Sequence, residues 1–411
     1  MNRPALQSLD DALAVLLAQA MPLAGRESVS TFSADGRVLT EDIVSALQVP
    51  PQDNSAMDGY ALRCADVAEP GAVLPISQRI PAGSVGQPLQ PGSCARIFTG
   101  APVPPGADAV VMQEECVPEG EGSARINTAP RMGQNIRRAG EDIALGATVL
   151  AAGTRLGPAA LGMAASMGRA QLTVAARPRV ALFSTGDELV MPGEVAPQDM
   201  RPGAIYNSNR FFLRAMLERL GCAVTDLGVV PDQREATVAA LQMAAQGNDL
   251  ILTSGGVSVG EEDHVKPAVQ ALGHLDLWQL AIKPGKPFAY GRVENGAGGA
   301  HFMGLPGNPV SSFVTFALLV RPFVLRLQGV QDVAPQAVAV RADFDWPRGD
   351  RRREFLRARL NAQGALELFA NQGSGVLTST VWGDGLVDNP PGQAIARGDT
   401  VRFLPFAALL T

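Results

Sequence analysis

The sequence predicts a multidomain, elongated chain of α/β plus β-rich domains: β-rich segments, then a doubly wound, mostly parallel α/β sheet domain, then a small C-terminal β domain. Three observations carry that prediction. Between 177 and 327 short apolar runs alternate with helical segments, the rhythm of a parallel sheet covered on both faces. From about 45 to 175, and again after 328, short apolar runs are cut by Pro and Gly, as in VLPISQRI, ARIFTG and DAVVMQEE. The 44 glycines and 31 prolines in 411 residues mark a folded chain with many turns, while the apolar share of 46% is ordinary.

The elements follow in order. Leu6, Leu9, Leu13, Leu16, Leu17 and Ala20 recur at helical spacing, and Ser8 with Asp11 three residues later resembles a capping box, so an amphipathic helix opens the chain. The density of turn signals places an inserted β module at 49–140, with 1–48 and 141–176 forming one linker or dimer domain around it. After Arg177 and Pro178 the pattern predicts a strand at 179–184, a helix from about Asn209 to Leu220 closed by Gly221, and a strand at 223–230. A helix at 233–246, a strand at 249–254, a helix near 263–272, the strand LWQLAI at 277–282 and a long helix from Val310 to about Leu327 complete the α/β domain, 177–327. The remainder, 328–411, reads as a C-terminal β domain.

Composition excludes several classes. The 34 basic and 40 acidic residues give a net charge of −6, which argues against general nucleic-acid binding, where neutralised phosphates supply most of the affinity. Asp10 and Asp11 interrupt the N-terminal apolar run, unlike a secretory signal, and no uninterrupted run of about 18 apolar residues is found, so a cytoplasmic protein is expected. Cys64, Cys94, Cys116 and Cys222 have no CxxC spacing, and His264, His274 and His301 are the only histidines. Structural zinc is not expected, and any metal should be a hard ion held by oxygen. The chain writes its basic residues as Arg except for Lys266, Lys283 and Lys286. That clustering reflects either a need for ammonium groups there or an accident of base composition.

Four loops fall where a doubly wound sheet holds its ligand: STGDEL (184–189), SGGVSVGEED (254–263), KPGKP (283–287) and PGNP (306–309, with Pro306 and Pro309). Ser254, Gly255, Gly256, Ser258 and Gly260 form a small-residue loop whose backbone N–H groups can approach an anion, which favours a phosphate-bearing ligand. Glu261 and Glu262 stand where a P-loop needs Lys and Ser or Thr, so that motif is excluded. Asp263 beside such a cradle suggests Mg²⁺ between carboxylate and phosphate, or else an acid stabilising a helix N-terminus. KPGKP presents Lys283 and Lys286 on a Pro-stiffened loop, suited to a compact oxyanion, or else simply solvated. DNSAMDGYALR (53–63), RRAGEDI (137–143) and QGSG (372–375) are weak signals by themselves, read as turns and solvated faces.

Taken in order, DNSAMDGYA, IFTGAPVPPGADAVV, GEDI, STGDEL, YNSN, SGGVSVGEED, IKPGKP, GLPGNPVSSF and QGSG resemble the MoeA family of molybdopterin molybdenumtransferases, which includes the gephyrin E domain. The resemblance spans nearly the whole chain. It implies an elongated homodimer of four-domain subunits, each active site lying in a cleft completed by the partner's inserted β domain. The implied reaction takes adenylylated molybdopterin and molybdate as substrates, requires Mg²⁺, releases AMP and leaves molybdenum on the pterin dithiolene. Carried over residue by residue, Asp58, Asp142, Glu188 and Asp263 match the family's functional acids, with Thr99 and Asp232 beside them as catalytic candidates. The resemblance gives Glu188 and Asp263 to Mg²⁺ and water, the 254–260 loop to the pterin phosphate, and Lys283, Lys286 and Ser374 to molybdate. His264 and Gln52 depart from the pattern at positions where aromatic residues are frequent. Two other functions stay open at this point: a molybdopterin adenylyltransferase, with which transient contact is also conceivable, and a gephyrin-like scaffold without catalysis.

Overall fold

Side-chain alternation along the strands after Arg177 sets the architecture. In a computed structural model, which describes residues 6–256, 264–296 and 298–410, strand Arg179–Thr185 sends Val180 and Leu182 into one apolar core and Ala181 and Phe183 into another. Leu250 and Leu252 face the first core and Ile251 the second, as do Met303 and Leu305 against Phe302. A period-two pattern with both faces apolar requires cover on both sides of the sheet. Helices Asn209–Arg219 and Pro309–Leu327, joined by the N-terminal helix Leu9–Gln19, supply one cover; helices Arg234–Ala245 and Val265–Leu272 supply the other.

The sheet has six strands in the order Ala223–Val230, Arg179–Thr185, Leu250–Ser254, Ala300–Leu305, Pro287–Val293, Gly273–Gln279. The first four run parallel, and the last two are antiparallel to their neighbours. The sheet is therefore mixed at one edge. A parallel crossover needs about a dozen residues, and the short links between these last strands allow only hairpins. The strand expected at 277–282 is also corrected. It begins at Gly273, directly after the helix ending at Leu272, and stops at Gln279; Ile282–Lys283 then leave for a second sheet.

That second sheet forms the C-terminal region. Its order is Ile282–Lys283, Arg353–Leu360, Gly385–Asn389, Thr400–Pro405, Val338–Arg341, with Leu366–Leu368 also paired to Arg353–Leu360. Phe344, Leu356, Ala358, Val387 and Phe403 fill its own core. The long helix runs from Pro309, fixed at its first turn, to Leu327, with a π-turn at Phe316–Val320. By length and composition it could cross a membrane, yet 94% of its apolar window is buried within the protein. It is the central core helix of this region.

The chain divides into two units. One comprises Met1–Glu41, Ala152–Gly157 and Gln171–Thr411; the other comprises Asp42–Ala151 and Pro158–Ala170. The second unit holds a six-stranded sheet in the order Ala109–Met112, Gly59–Leu62, Cys94–Ile97, Ala72–Ile80, Ser123–Ile126, Cys116–Glu119, all antiparallel except the pairing of Ala72–Ile80 with Cys94–Ile97. Tyr60, Leu62, Leu74, Val111 and Ile126 pack one face and Ile80, Leu89, Ile97 and Val110 the other. At the chain start, the Asp11 N–H donates to Ser8 Oγ at 3.1 Å, capping the first helix as the sequence predicts.

Candidate active site

The parallel strands deliver their loops to one edge of the α/β sheet, where a cavity of about 790 Å³ opens. Glycine makes this edge possible. Gly255 has φ +92° and Gly256 φ +67°; a Cβ on Gly255 would stand 2.8 Å from the Thr185 carbonyl oxygen, and one on Gly256 2.4 Å from Val265 Cγ2. Only a residue without a side chain fits both the dihedral and the space. The Gly255 N–H donates to Leu305 O at 3.1 Å, which ties this loop to the neighbouring strand end. Ser254 lines the cavity but is almost wholly buried, and its hydroxyl shares a 3.2 Å hydrogen bond with Ser184 Oγ.

Two carboxylates line the same cavity, Glu188 and Asp232. Glu188 is exposed and lies over Gly186, where an added Cβ would meet its Oε2 at 2.5 Å. The Asp232 N–H reaches Asp187 Oδ1 at 3.4 Å, joining the two loops. Pro306 and Pro309 line the opposite wall, where Asn209 Nδ2 donates to Gly307 O at 2.7 Å and the Ser312 hydroxyl donates to Pro306 O. The helix starting at Pro309 thus presents its N-terminal end at the cavity. Ser258, Gly260 and Asp263 lie outside the described residues.

The C-terminal sheet contributes through two loops. Val310 N–H donates to Ser374 O at 2.9 Å, and the adjacent Gly375 and Leu377 line the cavity. Arg357 holds that loop from below. It is 1% exposed, and donates to Gly373 O, Phe355 O and Ser379 Oγ, each at 3.1 Å. Burial without a carboxylate partner pushes its pKa down to about 10. In the KPGKP loop, Lys283 is ion-paired with Glu354 at 3.2 Å and Asp350 at 3.3 Å. Glu354 is itself 1% exposed and also accepts from Trp346 Nε1 at 2.8 Å and Asp350 N at 3.1 Å. Arg352, and then Lys283, hold the Asp350 carboxyl well below the usual carboxylate range. Lys286 is exposed and, among the described residues, has no ion-pair partner. Neither lysine nor Ser374 lines the cavity; Pro287 and Gly375, their chain neighbours, do.

In the second unit, Asp58 Oδ1 accepts from Thr99 N at 2.7 Å and Thr99 Oγ1 at 2.8 Å, and those bonds hold the Asp58 carboxyl below its ordinary range. Asp142 is exposed, with its N–H bonded to Val49 O at 3.0 Å. The structure therefore gathers Glu188, Asp232, Ser254, Gly255, Gly256, Pro306 and Pro309 around one cavity, sets Lys286 and Ser374 next to its wall, and carries Asp58, Thr99 and Asp142 on the other unit. Sequence reasoning missed Glu354 and Arg357, which read only as strand residues in REFLRARL. It also passed over Asn207 within YNSN, which is 1% exposed and lines the cavity.

Among the described residues no group of three or more His, Cys, Asp or Glu side chains is placed to hold a metal ion. The donors that do line the cavity are carboxylate oxygens, which suits Mg²⁺, an ion commonly held by one or two carboxylates together with substrate phosphate.

A two-glycine turn, a helix N-terminus and carboxylates meet at the carboxyl edge of a doubly wound sheet, the edge where sheets of this class bind their ligands. Residues 7–168 match the MoeA N-terminal region (domain I and II), 181–326 the probable molybdopterin binding domain, and 339–406 the MoeA C-terminal region (domain IV). The chain is 39% identical to a molybdopterin molybdenumtransferase of Haemophilus influenzae over 411 residues, covering 98% of this chain and 99% of the relative. It is 39% identical to molybdopterin molybdenumtransferase 2 of Mycobacterium tuberculosis, covering 88% and 90%. The crystal structure of the molybdopterin biosynthesis moeA protein of Pyrococcus horikoshii OT3 superposes with a TM-score of 0.82 at 28% identity, covering 98% of this chain and all of that one. The chain belongs to the MoeA family.

Proposed function

We propose that this protein is a molybdopterin molybdenumtransferase that inserts molybdenum from molybdate into adenylylated molybdopterin and releases AMP, working as a homodimer. The observation that carries the reading is the composition of one cavity. Groups suited to an anion (the Gly256 N–H and the helix N-terminus at Pro309) and carboxylates (Glu188 and Asp232) share its wall, next to the loop that carries the exposed Lys286. A substrate with a phosphate anhydride, a bound cation and an oxyanion needs that combination in one place.

In this reading the Gly256 N–H and the N-terminal end of the helix at Pro309 hold phosphate oxygens, while the Gly255 N–H stays bonded to Leu305 O, and the cavity walls fix the anhydride for attack by water. Water's oxygen forms the new bond to phosphorus, the anhydride P–O bond breaks, and AMP leaves. Glu188 orients that water and takes up its proton. Mg²⁺, when bound by Glu188 and Asp263, would neutralise the charge that builds on the phosphate oxygens. Lys286 holds molybdate as a point-charge partner, and Ser374, assigned by family resemblance, donates its hydroxyl to it. Lys283 takes a different part: Glu354 and Asp350 already neutralise it, so it anchors the loop on which Lys286 is displayed. Asp58, Thr99 and Asp142 are assigned to catalysis by family resemblance.

The test mixes the protein with adenylylated molybdopterin, molybdate and Mg²⁺ and follows AMP release together with pterin-bound metal. Molybdate-dependent AMP release is expected. AMP release that ignores molybdate, or none at all, removes the reading.

A further inference from the structure

In the second unit, the segment 49–58 holds both loops that carry catalytic candidates. Its later part holds the loop with Thr99: Ser55 N–H donates to Ala101 O at 2.9 Å, Gly100 N–H donates to Ser55 O at 2.8 Å, and Asp58 accepts both Thr99 donors. Its earlier part holds the turn that carries Asp142: Gly140 N–H donates to Pro50 O at 2.9 Å, and the Asp142 and Ile143 N–H groups donate to Val49 O at 3.0 and 3.1 Å. That turn is sharp, with Gly140 at φ +73° and Glu141 N–H returning to Arg138 O at 3.2 Å. Asp53 stands where the two sets of bonds meet. Its backbone carbonyl accepts from Val103 N at 2.9 Å, on the Thr99 side. Its carboxylate serves the other side: Oδ1 accepts from Ala139 N at 2.8 Å and Oδ2 from Arg138 Nη1 at 2.5 Å. The Ala139 N–H first, and then Arg138, hold this carboxyl below its ordinary range, so it is an ionised acceptor at neutral pH.

We propose that Asp53 is a positioning residue for the transferase reaction: its carboxylate clamps the turn at Arg138 and Ala139 and so fixes where Asp142 stands relative to the Asp58–Thr99 pair. The inference rests on the transferase reading above and on Asp142 taking part in it. Folding stability gains little from the clamp, because the Asp53 and Arg138 side chains are 38% and 56% exposed and ion pairs so open to water are weak. Its effect is on freedom of movement. Val49 and Pro50 fix the turn from Gly140 onward, and Asp53 fixes it where it begins, at Arg138 and Ala139. A turn held at both ends aims the side chain it carries, and misplacing a reacting group by about 1 Å can cost about a hundredfold in rate.

The test compares wild type, Asp53→Ala, Asp53→Asn and Asp142→Asn in the full chain, following AMP release across molybdate concentrations and, separately, amide hydrogen exchange by mass spectrometry. Asp53→Ala removes both acceptors, whereas Asp53→Asn keeps one oxygen for Ala139 N and gives up the charge. Asp53→Ala is expected to lower kcat about tenfold and Asp53→Asn about threefold, with the KM for molybdate within about twofold of wild type. Exchange should rise about tenfold in a peptide spanning 138–143 and stay unchanged around Thr99, with the melting temperature little altered. Wild-type kcat in both Asp53 variants beside a slowed Asp142→Asn overturns the clamp and leaves Asp142 in its role. A raised KM at unchanged kcat also overturns it, as does exchange that stays the same over 138–143 or rises equally across the second unit. Should Asp53→Ala fail to fold, Asp53→Asn decides by the same criteria. Normal turnover in Asp142→Asn removes Asp142 from the reaction and the inference with it, whereas a wild type without molybdate-dependent AMP release removes the transferase reading itself.

Discussion

The α/β sheet and the C-terminal β sheet treat charge in opposite ways. In the first, the interior is mostly apolar or hydroxylic, its buried His301 and Arg321 meet a tyrosine hydroxyl and a backbone carbonyl rather than carboxylates, and the acids Glu188 and Asp232 stand at the ligand edge. In the second, charges go inside and find partners: Glu354 with Lys283 and Trp346, Asp388 (4% exposed) with Arg353 and Arg402, Arg357 with two carbonyls and a hydroxyl. One sheet keeps its polar capacity for a ligand; the other spends it on holding loops still. The lysines three residues apart in KPGKP fall on the two sides of that division.

Breaking the buried network should give the largest effect. Glu354→Ala leaves Lys283, Trp346 Nε1 and the Asp350 N–H without their shared acceptor and should cost about 3–5 kcal/mol in urea unfolding, as removal of one partner from a buried pair does. Next comes a titration inside the α/β domain. His301 is buried against Tyr290, whose hydroxyl lies 3.0 Å from Nδ1, and against Phe323; burial first, then Arg292, brings its pKa down to about 4. The unfolded chain takes up that proton near 6.5. Stability present at pH 7 is therefore lost as pH falls from 6.5 through 4, by about 3 kcal/mol in all. His301→Gln should flatten that part of the urea-midpoint profile.

A smaller effect tests the division of the lysines. Lys286→Ala should raise the molybdate concentration needed for half-maximal AMP release about tenfold, while its melting temperature stays put. Lys283→Ala should do the reverse, lowering stability by leaving Glu354 with one cation fewer. Equal stability losses in the two variants would erase the distinction. Smallest of all, Arg214→Ala breaks the exposed helix pair with Glu218, 2.9 Å apart, and should shift the urea midpoint less than any of the changes above.

What the sequence made legible was local. Apolar runs placed strands at 179–184 and 249–254, which form at Arg179–Thr185 and Leu250–Ser254, and the Gly255–Gly256 pair and the Pro-flanked lysines marked the loops, because each signal depends on neighbours along the chain. What it hid was pairing across distance. Nothing in LWQLAI tells that Ile282 and Lys283 belong with Arg353 and Glu354, and nothing in REFLRARL tells that its Glu and its second Arg are buried beneath two different loops. Asn207 escaped for a related reason: an asparagine before a helix reads as a capping turn, and only the fold shows that its amide nitrogen is left over.

The two residues Ile282 and Lys283 also bear on how far the chain can be dissected. They form the edge strand of a sheet whose other strands all lie beyond residue 337, so the C-terminal domain borrows part of its border from the domain before it. A fragment cut near residue 328 would lose that border, expose the backbone edge at Arg353 and Glu354, and strand a buried glutamate with no ammonium to meet it. Self-association through the bared strand is the outcome to anticipate, and it makes these two domains one inheritable piece, to be swapped or transplanted together or not at all.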